Sequence, residues 1–166
     1  MKYFLDTEFL ERPHTIDLIS IGIVCEDGHE FYAESNEFNK SDATPWIEAN
    51  VLPWLWGKSD RRWETTIGGY VTRNTMARLI RAFVGDNKPE FWGYYSAYDW
   101  VVFCWLFGSM IDLPKGWPMF CRDIKQYAGD IRLPQQTSIA HNALEDARWN
   151  REAWEHINGT KYNNAY

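Results

Sequence analysis

The sequence predicts an α/β domain built as a mixed sheet with helices packed on it. Two patterns carry that reading: three β-type runs open the chain in succession, and from residue 72 helical and strand patterns alternate. Size is the third observation. The chain has 166 residues, 45% hydrophobic and 24% charged, which suits a single packed domain at ~100–200 residues each. Such a length buries roughly 70% of the surface that the unfolded chain exposes.

Tyr3-Phe4-Leu5 reads as a short buried strand that meets polar residues at Asp6. Ile16 to Cys25 is a longer run rich in β-branched residues, which fit a pleated surface. Asp27-Gly28 is a hairpin-turn signal, and His29 to Ala33 alternates as the returning strand. The three predict an antiparallel meander. From Ser41 the pattern loosens around Pro45, Pro53 and several tryptophans, and no element is assigned there. Thr72 to Val84 is helical, because Met76, Leu79, Ile80 and Phe83 recur at i, i+3, i+4 and i+7. Glu90 to Tyr95 follows as a strand, then Ser96 to Phe107 as a buried helix closed by Gly108. Arg122 to Tyr127 reads as a short helix and Asn142 to Ile157 as the last long one. No repeat or linker divides the chain, so residues 1–158 are expected to form one domain and 159–166 a fraying C-terminal tail.

Seventeen basic and 23 acidic residues leave a net charge of −6. That excludes a protein held on nucleic acid mainly by its own positive charge. It does not exclude an enzyme whose metal ions supply the charge. Residues 58–88 carry the only basic concentration, a solvated face or a phosphate-steering patch. Cys25, Cys104 and Cys121 contain no CxxC pair and are odd in number, so they read as packing residues in a reducing, intracellular setting. The stretch from Phe91 to Ile111 contains Asp99, Gly93 and Gly108, which argues against a membrane span and for a soluble chain.

Three short stretches could carry chemistry. Asp6 and Glu8 stand two apart at a strand end, so both carboxylates point the same way. Held together they repel unless a cation lies between them, and hard cations favour such oxygens; two exposed acids in a turn would look the same. Asp99 falls three residues after Ser96, as in a capping box, and also near the strand ends where ligands gather in open sheets. Asn142 with Glu145 opens the last helix. His141 falls just before it and Asp146 within it, so an imidazole and a carboxylate can converge.

Together Asp6, Glu8, Asp99, His141 and Asp146, in this order and on these elements, resemble the DEDDh branch of the 3′–5′ exonuclease superfamily. The resemblance covers Phe4-Leu5-Asp6-Thr7-Glu8-Phe9, the Tyr94–Asp99 segment and His141-x-Ala143-x-x-Asp146. Residues 3–11 and 14–24 look closest to the polyadenylate-specific 3′-exoribonucleases of the ribonuclease AS kind, whereas 56–75 and 128–138 match poorly.

The resemblance implies a ribonuclease H-like fold with a five-stranded mixed sheet whose first three strands are antiparallel. It implies that Asp6, Glu8, Asp99 and Asp146 bind two divalent cations, Mg²⁺ or Mn²⁺, and that His141 is the general base. The substrate would be single-stranded RNA, with DNA as the alternative, shortened from the 3′ end to nucleoside 5′-monophosphates. It further implies substrate contacts at Thr7 and Phe9 and a homodimer, and the reducing setting read from the cysteines makes the expected location cytoplasmic. Tyr98 and Trp100, which flank Asp99, are the aromatic residues expected to stack on bases. An oligoribonuclease-like enzyme and a catalytically silent binding member of the fold are the rival readings.

Overall fold

Tyr3, Phe4 and Leu5 are buried in the middle of the sheet, as their apolar run predicts. A computed structural model describes residues 1–163, and in it the strand runs well past these three. β1 spans Lys2–Arg12, β2 Thr15–Cys25 and β3 Glu30–Ser35. β1 and β2 pair antiparallel from Tyr3 opposite Cys25 to Arg12 opposite Thr15, with a register shift between Glu8 and Phe9. The charged residues Asp6, Glu8, Glu11 and Arg12, on either side of Phe9-Leu10, hid the second half of β1 in the sequence. The backbone ladder needs no apolar side chains to continue. β2 and β3 also pair antiparallel, across the Asp27-Gly28 turn, where Gly28 has φ of 96°.

The sheet has six strands rather than five, in the order β4-β3-β2-β1-β5-β6. β5 (Glu90–Gly93) lies parallel to β1, and β6 (Arg122–Asp123) parallel to β5. β4 (Ile67–Val71) lies parallel to β3 and escaped the sequence reading because Gly68 and Gly69 interrupt any alternation. Glycine is needed there: a Cβ on Gly68 would fall 1.6 Å from the carbonyl oxygen of Tyr32. The predicted helix at Arg122–Tyr127 is two elements, β6 and then α4 (Ile124–Ala128), joined by Asp123, whose Oδ1 accepts from the Gln126 N–H at 2.9 Å.

Helices cover both faces. α2 (Arg73–Val84) and α3 (Ala97–Trp105) bury Met76, Ile80 and Phe103 against Leu5, Phe31 and Phe91. α5 (Ala143–Asn163) and α4 close the other face over Phe4, Trp92 and Val24. α5 stays helical through residues 159–163, where a frayed tail was expected; 164–166 lie outside the described residues. The tryptophan-rich segment contains α1 (Pro45–Asn50), capped by Thr44, and its Val51 packs on Leu10 and Ile19.

Two contacts set α5 against the sheet. Gly22 stands opposite Asp6 in the β1–β2 ladder, and a Cβ there would come 2.2 Å from the carbonyl oxygen of Ala143. Further along, Asn150 Nδ2 donates to the Leu5 carbonyl at 2.9 Å. The basic segment is divided. Arg61 and Arg62 sit in a turn and pair with Glu64 and Asp60, while Arg73, on α2, pairs with Asp17. All three cysteines are free, and no helix among the described residues is long and apolar enough to cross a membrane.

Candidate active site

Strand alternation sends Asp6 and Glu8 to the face covered by α5, and Thr7 to the face covered by α3. Thr7 meets Asp99 there, in the first turn of α3. Its N–H donates to Asp99 Oδ1 at 2.9 Å and its hydroxyl to the same oxygen at 2.6 Å. The capping box predicted for Ser96 and Asp99 is not formed. Ser96 makes no side-chain cap bond, and its N–H donates instead to Asp123 Oδ2 at 3.2 Å. Thr7 offers Asp99 two donors at once, and a helix start offers one.

At the other side, Asn142 Oδ1 accepts from the Glu145 N–H at 3.2 Å and caps α5 as the sequence predicts. Asp146 then accepts at both oxygens: from the His141 N–H at 2.9 Å and from Gln136 Nε2 at 2.5 Å. His141 has φ of +64°, a left-handed conformation that costs a non-glycine residue, and the bond to Asp146 helps hold it there. Its ring is exposed and meets Trp46 edge-on at 4.8 Å.

These elements bring the acids together. Glu8, His141 and Asp146 each offer a ligand atom within 4.8 Å of the others. Burial raises the Asp6 carboxyl well above its ordinary range, and the charges of Asp99, Asp146 and Glu8 push it further. Glu8 is pushed up to about 8, by burial first and then by Asp146 and Asp99. Asp99 and Asp146 are also raised by burial; hydrogen bonds from Thr7 oppose this for Asp99, and Gln136 and His141 oppose it for Asp146. The four carboxylates therefore repel one another as one electrostatic unit. Hard oxygen donors beside one imidazole suit a divalent cation, which would relieve that repulsion.

The residues expected to touch substrate separate. Phe9 lines a cavity of ≈ 410 Å³ beside Glu8, with Thr7, Thr44, Trp46 and Ile47. Thr7 reaches this cavity with its hydroxyl already committed to Asp99. Tyr98 is exposed, and its ring stands edge-on to Phe9 at 6.1 Å. Trp100 is 8% exposed, stacks on Phe103 at 5.1 Å and donates from Nε1 to the Met119 carbonyl, so it is a core residue with no face for a base. The sequence reading missed Trp46, because the tryptophans from 46 to 56 follow no period. It also missed Glu34. This buried carboxylate accepts from the N–H groups of Trp56 at 2.5 Å and Gly57 at 2.9 Å, and so ties the tryptophan segment to β3. The same segment reaches α5 where Asn142 Nδ2 donates to the Trp54 carbonyl at 3.3 Å.

The fold and the chain both have known relatives. Exonuclease I of E. coli, solved with a dT13 oligonucleotide, superposes over 94% of this chain with a TM-score of 0.57 at 14% identity. A second structure of that enzyme gives 0.58 over 96%. This chain spans 40% of the length of exonuclease I, and the likeness shows a shared fold. A 3′–5′ exoribonuclease of Mycobacterium tuberculosis, Rv2179c, is 40% identical over 151 residues, covering 89% of this chain and 88% of that one. Residues 1–158 match the family described as the 3′–5′ exoribonuclease Rv2179c-like domain. With an acid cluster on this fold and a family match along nearly its whole length, the chain belongs to the Rv2179c-like 3′–5′ exoribonuclease family and is a 3′–5′ exonuclease.

Proposed function

We propose that the protein is a metal-dependent 3′–5′ exoribonuclease that shortens single-stranded RNA, polyadenylate above all, to nucleoside 5′-monophosphates. One observation carries this reading: four mutually repelling carboxylates and an exposed histidine meet at the middle of β1. A binding module has no use for such a cluster. The mycobacterial relative, a 3′–5′ exoribonuclease, supports RNA as substrate. The likeness of residues 3–11 and 14–24 to polyadenylate-specific enzymes supports polyadenylate.

Asp6, Glu8, Asp99 and Asp146 are the residues that would hold two divalent cations, Mg²⁺ or Mn²⁺. Bound there, the ions would neutralise phosphate charge and lower the pKa of the attacking water. The protein's own part is positioning and proton transfer. The cavity between Phe9 and Trp46 takes the terminal nucleoside, which leaves its 5′ phosphate at the acids. An imidazole nitrogen of His141 accepts the proton of the attacking water. In-line attack then breaks the bond between that phosphorus and the 3′ oxygen of the preceding nucleotide. Trp46, against the imidazole, limits where the ring can turn.

The test is to incubate labelled oligo(A), mixed RNA and single-stranded DNA with Mg²⁺ or with EDTA and to resolve the products. Ladders shortening from the 3′ end, fastest on oligo(A) and absent in EDTA, are expected. Undiminished cleavage in EDTA would overturn metal dependence, and cleavage confined to dinucleotides would select the oligoribonuclease-like reading.

A further inference from the structure

The proposed function leaves open where the strand lies beyond its last nucleotide. α3 carries Asp99 in its first turn, and its two sides differ sharply. Asp99, Trp100, Val102, Phe103 and Cys104 are buried, whereas Tyr98, Val101 and Trp105 are 48%, 37% and 49% exposed. The exposed three sit at i, i+3 and i+7, so they line one face of the helix. Opposite them stands the tip of the β1–β2 hairpin, where Pro13 and the left-handed His14 turn the chain. Between helix and hairpin lies a groove of ≈ 440 Å³, lined by Tyr98, Val101 and Trp105 on one wall and by Arg12 and His14 on the other.

This groove adjoins the terminal-nucleotide cavity. Glu11 lines both. Phe9, a wall of the first, meets the ring of Tyr98, a wall of the second. We propose that the groove between α3 and the β1–β2 hairpin binds the substrate strand 5′ of the terminal nucleotide, its bases stacking along Tyr98 and Trp105. The inference rests on the exonuclease reading above and adds a second binding region to it.

The dimensions and the chemistry fit a single strand. Seven residues of helix carry Trp105 about 10 Å beyond Tyr98, roughly the rise of three stacked nucleotides at ~3.4 Å each. Aromatic faces take any base, which suits a tract that must pass every nucleotide in turn. On the facing wall His14, and Arg12 with the donors left over from its ion pair to Asp42 at 2.8 Å, suit the phosphates that such stacking leaves outward. A second copy of this chain is the other candidate occupant. Three side chains of a nine-residue helix are small against the ≈ 800 Å² per partner of a stable interface, and adjacency to the nucleotide cavity favours the strand.

The experiment measures kcat/KM on oligo(A) of two to eight nucleotides, and anisotropy of the same labelled oligomers, for the natural protein, Trp105→Ala and Trp105→Phe. In the natural protein both rates and affinities should climb with length and level off near five nucleotides. Trp105→Ala should flatten that climb, lowering the long-to-short ratio about tenfold through KM, and Trp105→Phe should restore most of it. An unchanged length profile in Trp105→Ala overturns the proposal. So does an equal loss at every length, which marks a structural role. A change of oligomeric mass with the profile intact would assign the face to self-association and also overturn it. If no oligomer is cleaved, the exonuclease reading fails, while the length dependence of anisotropy still decides whether the groove holds a strand.

Discussion

Asp99 and Asp146 reach the middle of β1 from opposite sides of the sheet, and they are held in different ways. Asp99 is gripped by Thr7, a buried residue of the central strand, through two donors to one oxygen. Asp146 is held by Gln136 and by the backbone of His141, both in the irregular stretch that precedes α5. One carboxylate is part of the core and the other depends on a surface segment. Under the proposed mechanism, a site divided in this way would have a fixed half against which substrate is aligned and an adjustable half that carries the proton acceptor.

The largest effect that tests this division is at the fixed half: Asp99→Asn should bring cleavage to background, read from single-turnover assays. His141→Ala comes next, lowering kcat about 10²–10⁴-fold while oligonucleotide affinity is retained; undiminished turnover would refute its role. Thr7→Val, which removes one donor to Asp99, should weaken Mg²⁺ activation about 10–100-fold, with Thr7→Ser close to the natural enzyme. Gln136→Ala should cost less than Thr7→Val, and a reversal of that order would break the comparison.

The smallest effect is on stability. In EDTA, Glu8 is pushed up to about 8 from an ordinary value of 4.5. Between those values the folded state binds more protons than the unfolded one, so this contribution is full below pH 4.5 and is lost as pH rises through about 8. The metal-free protein should therefore lose Tm from mildly acid to mildly alkaline pH more steeply than Glu8→Gln. Mg²⁺ at the alkaline end should recover the difference, and differential scanning fluorimetry reads both.

How much of this was legible depends on whether the signal is local. Asp6 and Glu8 announce themselves because strand alternation alone aligns them, and Asn142 because a helix cap is defined within four residues. Asp99 was visible, but its partner was not: Thr7 lies 92 residues away, and only the completed sheet joins them. Trp100 misled for the same reason. Its place beside Asp99 suggested a base platform, while the helix turns it inward onto Phe103. Trp46 and Glu34 gave no warning, since a tryptophan in an irregular segment and an acid in a strand acquire meaning only from what packs on them. β4, with two glycines at its centre, has no pattern to read.

Gly22 has a consequence outside the site. Because α5 rests there on bare backbone, the gap between Asp6 and the start of α5 is spaced by main-chain atoms and not by side chains. A single methyl group at Gly22 would act as a shim, lifting the whole first turn of α5 and separating Asp146 from Glu8. The reach of the site is thus calibrated by a residue that never touches substrate.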